Sequence, residues 1–463
     1  MADMKLDYTN CITDFVGEHG INQADLQALY PKLSSAYNIV QQKKSKGALG
    51  FMELPYKTEE ADKINDFAKK QRTKFDDFVV IGIGGSALGN IALQTALNHP
   101  YWNLLSKKER KNCLRLFVPD NVDPELIKSL LDVLNVKKTV FNIISKSGTT
   151  AECLANFFIL KHTLIKKVGS KNWQKHIIIS TDEQKGYLRE LADREKIVSF
   201  VIPANVGGRF SVLSPVGLIS AAFCGIKIEK LLEGARDMDT RCGQDISKNP
   251  AAIYAAIQYI LYQKGKKINV MMPYCQALSD VSDWFRQLWA ESLGKKTNIK
   301  NEIVNVGPTP VKALGVTDQH SQVQLYIEGP HDKIITFLSV EKYRTNVLIP
   351  PTKEKHYLEG HTLNELIKSE EEATRVALTK QSRPNCTIIL PEVSEYTIGQ
   401  LFYMLELATA YIGELFEINA FDQPGVELGK VLTYGLMGRP GFEKEKKEIE
   451  EFLAKKRENH YAV

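Results

Sequence analysis

Short apolar runs alternate with segments of helical length along this chain, and this alternation constrains the fold more than any other feature. The runs are rich in β-branched and aromatic residues, a composition typical of buried strands. In the first half they occupy residues 78–83, 114–118, 139–144, 176–180 and 197–202. Strands separated by helix-length crossovers form a mostly parallel sheet covered on both faces by helices. The pattern therefore predicts an α/β protein.

A second α/β series follows, so the 463 residues are predicted to form two α/β subdomains with helical extensions. Its strand candidates are residues 268–272, 302–306, 323–327, 334–340 and 387–390. The predicted boundaries are a helical N-terminal extension at 1–70, a first subdomain at 71–225, a helical connection at 226–265, a second subdomain at 266–430 and a helical tail at 431–463.

A hydroxyl-rich loop follows the predicted strand at 139–144. Its side chains are those of Ser145, Lys146, Ser147, Thr149 and Thr150, and a helical pattern begins immediately afterwards. The first turn of a helix leaves backbone N–H groups unpaired and carries the positive end of the dipole, so the loop suits one phosphate group. A single Ser or Thr there is explained as a helix cap, but four hydroxyls with a lysine exceed what one cap needs.

A glycine-rich loop at residues 82–89 follows the first predicted strand. Glycine lets the backbone approach a ligand, and Ser86 is a candidate phosphate donor. Gly82, Gly84 and Ala87 also satisfy the dinucleotide pattern G-x-G-x-x-A. That alternative is disfavoured because the acidic residue expected about twenty positions later is missing.

Two further stretches carry residues suited to proton transfer and anion binding. Gly207 and Gly208 precede Arg209, whose guanidinium could hold an oxyanion or belong to a surface turn. In the predicted helix around Trp284, Gln287 and Glu291 lie one turn apart at the edge of an apolar stripe. Partial desolvation there would make Glu291 a better base, although an ordinary surface glutamate fits the same pattern.

His320 and Lys430 are considered as site residues mainly because of the segments in which they lie. His320 sits in a polar loop before a predicted strand, where a lone histidine is more often structural. Lys430 follows Pro424, which suits a first helical turn, and taken alone it would be a solvated surface lysine.

Composition excludes several classes of function. The chain has 60 Lys and Arg against 55 Asp and Glu, a net charge of +5 without a basic stripe, so no nucleic-acid partner is expected. No leader pattern or run of eighteen apolar residues is present, and we expect a cytoplasmic protein without a membrane contact. Seven scattered cysteines without a C-x-x-C pair indicate neither a disulfide framework nor a metal site.

Taken together, six stretches resemble the glucose-6-phosphate isomerase family. They are GIGGS at 82–86, SKSGTT at 145–150, GGRFS at 207–211, QLWAESLGK at 287–295, DQH at 318–320 and DQPGVELGK at 422–430. Each is weak alone, but they follow the family's order across residues 80–430 and match its shorter bacterial form. The resemblance implies two sugar-isomerase (SIS) subdomains, a sugar phosphate substrate, no cofactor or metal, and a homodimer with active sites near the subunit interface.

The resemblance also assigns roles for converting glucose 6-phosphate to fructose 6-phosphate in glycolysis and gluconeogenesis. Glu291 matches the base that moves a proton between C2 and C1, and Arg209 matches the residue facing the enediolate. His320, commonly delivered from the neighbouring subunit, matches the group that assists ring opening, and Lys430 matches its partner near the ring oxygen. The phosphate positions are Ser86, Ser145, Lys146, Ser147 and Thr150. The sugar-contacting positions are Gly85, Gln287 and Gln423.

The sequence departs from longer relatives at two positions, with Gly148 where many have Phe and Pro424 where many have Trp. These changes affect the expected pocket shape more than the chemistry. Three alternatives stay open: an isomerase that also accepts mannose 6-phosphate, a sugar-phosphate-binding regulator without catalysis, and a nucleotide-dependent oxidoreductase.

Overall fold

The computed structural model describes residues 3–243, 245–353 and 355–458. The strands are β1 (Lys5–Asp7), β2 (Asp77–Ile81), β3 (Arg115–Phe117), β4 (Thr139–Ser145), β5 (Ile177–Thr181), β6 (Val198–Val201), β7 (Ile268–Pro273), β8 (Lys295–Thr297), β9 (Ile303–Val306), β10 (Thr309–Lys312), β11 (Lys333–Lys342) and β12 (Asn385–Glu392). The α-helices are α1 (Thr13–Val16), α2 (Gln23–Ser45), α3 (Thr58–Gln71), α4 (Leu88–Leu97), α5 (Pro124–Val133), α6 (Ala151–Val168), α7 (Tyr187–Glu195), α8 (Pro215–Phe223), α9 (Ile228–Cys242), α10 (Pro250–Gln263), α11 (Ser279–Leu293), α12 (Val323–Glu328), α13 (Leu363–Lys380), α14 (Glu395–Leu415), α15 (Glu427–Leu436) and α16 (Glu443–Glu458).

The first sheet is wholly parallel, with the strand order β3-β2-β4-β5-β6. All five strands predicted in the first half of the chain are confirmed. Every residue of β2 is buried. Phe78 and Val80 contribute to one hydrophobic core, whereas Val79 and Ile81 contribute to another. A strand buried on both faces needs apolar residues at every position, which explains the continuous runs in the sequence.

The second sheet has the order β1-β12-β11-β7-β10, and all its pairs are parallel except β1 with β12. The strands predicted at 268–272, 334–340 and 387–390 are confirmed as β7, β11 and β12. The prediction of a strand at 323–327 is wrong, because these residues form helix α12. Val323 and Tyr326 are its buried residues, and their spacing of three is helical.

The region between β8 and β10 also differs from expectation. The strand predicted at 302–306 exists as β9, but it pairs antiparallel with β8 and does not join the main sheet. The second parallel sheet instead takes its edge strand from residues 309–312, which the sequence analysis did not assign.

Helices form most of the N-terminal extension and the connection between the sheets, as predicted. The exception is β1, which adds residues 5–7 to the edge of the second sheet. Asp239 on α9 accepts hydrogen bonds from Lys44, Tyr56 and Tyr403, so one buried carboxylate ties together the N-terminal extension, α9 and α14. The tail is helical through α16, and residues 459–463 lie outside the described residues.

None of the helices in the described ranges combines the length and the apolar composition that crossing a bilayer requires.

Candidate active site

The order of the first sheet places two of the predicted loops side by side. From β2 the chain moves to β3 on one side and then returns to β4 on the other, so β2 and β4 are neighbours at a topological switch point. The loops after their carboxyl ends are the glycine-rich loop and the hydroxyl-rich loop. In open α/β sheets a switch point of this kind opens a crevice where ligands bind.

Three of the predicted hydroxyls gather at the end of β4. The Oγ of buried Ser145 lies 2.8 Å from Thr150 Oγ1 and 3.5 Å from Ser147 Oγ. The backbone N–H of Thr149 donates to Ser147 Oγ at 3.3 Å. Thr150 is the cap residue of α6, so the cluster sits at the helix N-terminus, where both N–H groups and hydroxyls can donate to an anion.

Lys146 is directed differently from its hydroxyl neighbours. Its Nζ donates to the backbone carbonyls of Ala204 and Val206 at 2.6 and 2.9 Å. Burial is the main cause that lowers the pKa of Lys146. The structure therefore joins the hydroxyl-rich loop to the segment that leads to Arg209, and it does not bring this ammonium group onto the hydroxyls.

Close packing at Gly84 and Gly85 brings the glycine-rich loop against two other parts of the site. Gly84 has a left-handed φ of 55°, and a Cβ there would lie 2.8 Å from Gln287 Nε2. A Cβ on Gly85 would lie 2.2 Å from the carbonyl carbon of Gly208. Only glycine permits these approaches. Half-buried Ser86 follows directly and so lies beside the Gly207–Arg209 turn.

Arg209 is almost completely buried, with 2% of its side chain exposed. A guanidinium has five N–H donors, and here five donor–acceptor contacts are made. The acceptors are Ser292 Oγ for Nε, Glu291 Oε2 and Gln423 Oε1 for Nη1, and the carbonyls of Ala420 and Asp422 for Nη2. Burial lowers the pKa of Arg209, and the Glu291 carboxylate opposes that shift. The buried charge is thus held by a complete set of partners.

Gln287 and Glu291 lie on one face of α11, as their spacing predicted. Gln287 Nε2 donates to Glu291 Oε1 at 3.0 Å, while Arg209 Nη1 lies 3.2 Å from Glu291 Oε2. The Glu291 side chain is 32% exposed, so each carboxylate oxygen is held by a donor and the group still reaches the open side of the site. A positioned carboxylate beside a fixed cation can accept a proton while developing negative charge is stabilised nearby.

His320 and Lys430 do not join this cluster within one chain. His320 is exposed after the short turn at 317–319. Lys430 lies on α15, with 48% of its side chain exposed, and forms an ion pair with Glu427 at 2.8 Å. The structure thus brings Glu291, Arg209, Gln287 and Gln423 together and leaves these two residues at the surface.

Two residues of the cluster, Ser292 and Lys295, were not predicted from the sequence. Ser292 accepts from Arg209 Nε, and Lys295 Nζ donates to the carbonyls of Glu291 and Asp422. Both lie in the stretch QLWAESLGK, one and four residues after Glu291, so their position was a usable signal. Among the described residues, no group of three or more His, Cys, Asp and Glu side chains could hold a metal ion.

The model of the family described as phosphoglucose isomerase matches residues 59–451. A glucose-6-phosphate isomerase from Carboxydothermus hydrogenoformans is 51% identical over 452 residues, covering 96% of this chain and 97% of the relative. The chain belongs to the phosphoglucose isomerase family. The glucose-6-phosphate isomerase of Rubrobacter xylanophilus is 42% identical, covering 96% of this chain and 100% of the relative.

The fold agrees with this family membership. A crystal structure of a hypothetical protein from Thermus thermophilus matches with a TM-score of 0.85 and 38% identity, covering 94% of this chain and 100% of the other. The two parallel sheets flanked by helices confirm the predicted α/β class of the phosphoglucose isomerase fold.

Proposed function

We propose that this phosphoglucose isomerase family member interconverts glucose 6-phosphate and fructose 6-phosphate, a step of glycolysis and gluconeogenesis. The observation that carries the proposal is the contact of the Glu291 carboxylate and the Gln423 amide with the same nitrogen of Arg209. This arrangement supplies a base, a cation and a polar amide in one place.

In the proposed reaction the sugar ring first opens to expose a carbonyl group. Glu291 then removes the proton from the carbon beside that carbonyl, and the C–H electron pair forms the enediolate while the carbonyl oxygen becomes negative. The protonated Glu291 delivers the proton to the former carbonyl carbon, and the hydroxyl proton on the other carbon passes to the negative oxygen. The oxygen that loses this proton becomes the new carbonyl oxygen, and the carboxylate of Glu291 is restored. Atoms and electrons balance without any external oxidant or reductant.

Arg209 stabilises the enediolate, and its occupied donors define how it does so. All five N–H groups already have partners, so a substrate oxygen that takes a hydrogen of Nη1 replaces Glu291 or Gln423 as its acceptor. Taking it from Glu291 releases Oε2 of the base at the moment when the guanidinium meets the developing charge. Substrate entry therefore activates the base and supplies the countercharge together.

The phosphate group is bound at the switch point by Ser86, Ser145, Ser147 and Thr150. The three clustered hydroxyls lie within 3.5 Å of one another, and the α6 N-terminus adds backbone donors. Lys146 contributes through its hold on residues 204–206 as well as through its charge. A phosphate anchored away from the reacting carbons keeps the open chain in register.

His320 and Lys430 act in ring opening, and we propose that His320 reaches the site from the second subunit of a homodimer. Two features support this arrangement. His320 is exposed in its own chain. In addition, the α15–α16 hairpin displays exposed apolar side chains, an arrangement that favours burial against another chain. They include Leu428, Leu436, Met437 and Phe452, which are 50–79% exposed.

Mixed dimers test whether His320 crosses the interface. Glu291→Gln and His320→Ala are each expected to be inactive alone. If subunits exchange freely, half of the dimers are mixed, and each mixed dimer has one site with both native residues. Activity then returns to about a quarter of the wild-type level. No recovery after verified subunit exchange would place His320 in the site of its own chain, and an active His320→Ala variant would place it outside any site.

Turnover of the wild-type protein tests the activity itself. Fructose 6-phosphate incubated with the protein in deuterated water is expected to give glucose 6-phosphate with deuterium at C2, as followed by NMR. Saturable binding without product would favour the regulator, and dependence on a nicotinamide would favour the oxidoreductase. Mannose 6-phosphate in a parallel sample shows whether the C2 configuration is read.

We also propose a cytoplasmic location. All seven cysteines are free and buried, as a reducing compartment permits. Recovery of the native protein in the membrane or secreted fraction after cell fractionation would contradict this proposal.

A further inference from the structure

Lys295 is a buried cation next to Arg209. It begins β8, two residues after α11 ends, and only 5% of its side chain is exposed. Its Nζ donates to the carbonyl of Glu291 at 2.7 Å and to the carbonyl of Asp422 at 2.8 Å, and it lies 3.5 Å from Asp422 Oδ1. The three ammonium hydrogens thus have three acceptors on two separate segments of the chain.

The carbonyl of Asp422 is shared between two cations. Arg209 Nη2 donates to the same oxygen at 3.1 Å and also to the carbonyl of Ala420. Residues 420–422 are therefore fastened from two sides, and the next residue is Gln423, whose Oε1 accepts from Arg209 Nη1. The position of the Gln423 side chain depends on this doubly held turn.

Burying Lys295 beside Arg209 lowers the stability of the folded protein. Burial is the main cause that lowers the pKa of Lys295, and the like charge of Arg209 lowers it further, whereas Asp422 and Glu291 oppose the shift. Placing a second cation beside a buried one requires desolvating both charges. Supporting interactions such as these hold reactive groups in a fixed geometry.

We propose that Lys295 is a positioning residue for the isomerase reaction. It fastens the last turn of α11 to the turn at 420–422, so that Glu291 and Gln423 both meet Nη1 of Arg209. The inference rests on the proposed function, and it assigns to Lys295 no contact with the substrate.

The proposal predicts a specific kinetic defect for Lys295→Met. Loss of the link displaces Glu291 relative to Arg209, and a displacement of about 1 Å in a reacting group lowers turnover by up to about 100-fold. We expect kcat to fall 10- to 100-fold while KM changes less than about threefold, because the phosphate cluster is untouched. Lys296→Met is the matched control, since Lys296 is the exposed neighbour, and it should keep wild-type kinetics.

Asp422→Asn separates the bridging role from simple charge neutralisation. Both carbonyl acceptors of Lys295 belong to the backbone, so this variant should stay within about threefold of the wild-type kcat. The double variant Lys295→Met with Asp422→Asn should be as slow as Lys295→Met alone. Recovery of activity in the double variant would contradict the proposal that Lys295 links these two segments. It would show that Lys295 only neutralises the charge of Asp422.

A further measurement responds to alignment and not to stability. In deuterated water, the fraction of protons exchanged with solvent during one conversion should rise in Lys295→Met. A misaligned enediolate receives the proton from Glu291 more slowly, which leaves more time for exchange with solvent. An unchanged fraction with wild-type kcat would overturn the proposal. Lys295→Gln, which keeps a donor, serves if the methionine variant does not fold, with the same expectations. Inactivity of the wild-type protein would instead refute the proposed function.

Discussion

Glu406 on α14 lies entirely within the core, with 0% of the residue exposed. Neither carboxylate oxygen has a hydrogen-bond partner among the described residues. Burial alone raises the pKa of Glu406 well above its usual range. Below that raised pKa the carboxyl group is neutral in the folded protein, whereas in the unfolded chain it ionises at about pH 4.3.

The sign of the pH effect follows from this difference. Above about pH 4.3 the unfolded chain releases a proton that the folded protein keeps, so stability falls as pH rises until the raised pKa is reached. The loss is about 1.4 kcal/mol per pH unit. Glu406→Gln keeps the shape and removes the titration, so its stability relative to wild type should improve as the pH rises above 5, by up to about 1.4 kcal/mol per unit while the pH stays below the raised pKa.

Urea unfolding at pH 5, 6 and 7 measures this slope. The control is Glu190→Gln, which makes the same carboxyl-to-amide change at an exposed position of α7. The prediction fails if the free energies of unfolding of Glu406→Gln and wild type differ by the same amount at all three pH values. That result would mean that Glu406 is ionised in the folded protein and has a partner there.

Three other perturbations follow from particular contacts. Gly84→Ala should lower kcat by at least about tenfold, because the new methyl group strains a left-handed backbone and displaces the Gln287 amide; steady-state kinetics that match wild type would contradict this. Ser292→Ala leaves Arg209 Nε buried without an acceptor and should reduce the free energy of unfolding by about 1–3 kcal/mol, measured by denaturant titration. Asp239→Asn breaks a buried network of three donors and should cost about 3 kcal/mol in the same assay, and an unchanged midpoint would show that the charge is not needed.

The first sheet could be predicted closely because its strands are buried on both faces. Continuous apolar runs such as 139–144 have few alternative structures at that length when turn signals bound them. The run at 323–327 has the same character, but it is too short to distinguish alternation from helical spacing. The structure resolves it as α12.

The missed edge strand has a different cause. Residues 309–312 include Pro310, and a proline argues against a central strand because it cannot donate to the ladder. Among the described residues, β10 pairs with β7 alone and occupies the sheet edge, where a missing donor is tolerated. The pairing of β10 with β7 depends on tertiary packing, which cannot be read from the local sequence.

The parts of the candidate site that depend on short motifs could be predicted from the sequence. The parts that depend on backbone acceptors could not. The helical spacing of Gln287 and Glu291 predicted their contact directly. In contrast, the carbonyls of Ala420 and Asp422 that hold Arg209 belong to the backbone, and every residue has such a group. The contacts of Lys295 with the carbonyls of Glu291 and Asp422 could not be predicted for the same reason.

Exchange of the C2 proton in Glu291→Gln is the sharpest test of Glu291 as the catalytic base. Glutamine keeps the shape and can still contact Arg209, but it cannot take a proton from carbon. With glucose 6-phosphate in deuterated water, we expect isomerisation and deuterium uptake to fall by at least about 100-fold, while the affinity for the sugar phosphate changes less than about threefold. Deuterium uptake at the wild-type rate would contradict the assignment of Glu291 as the base.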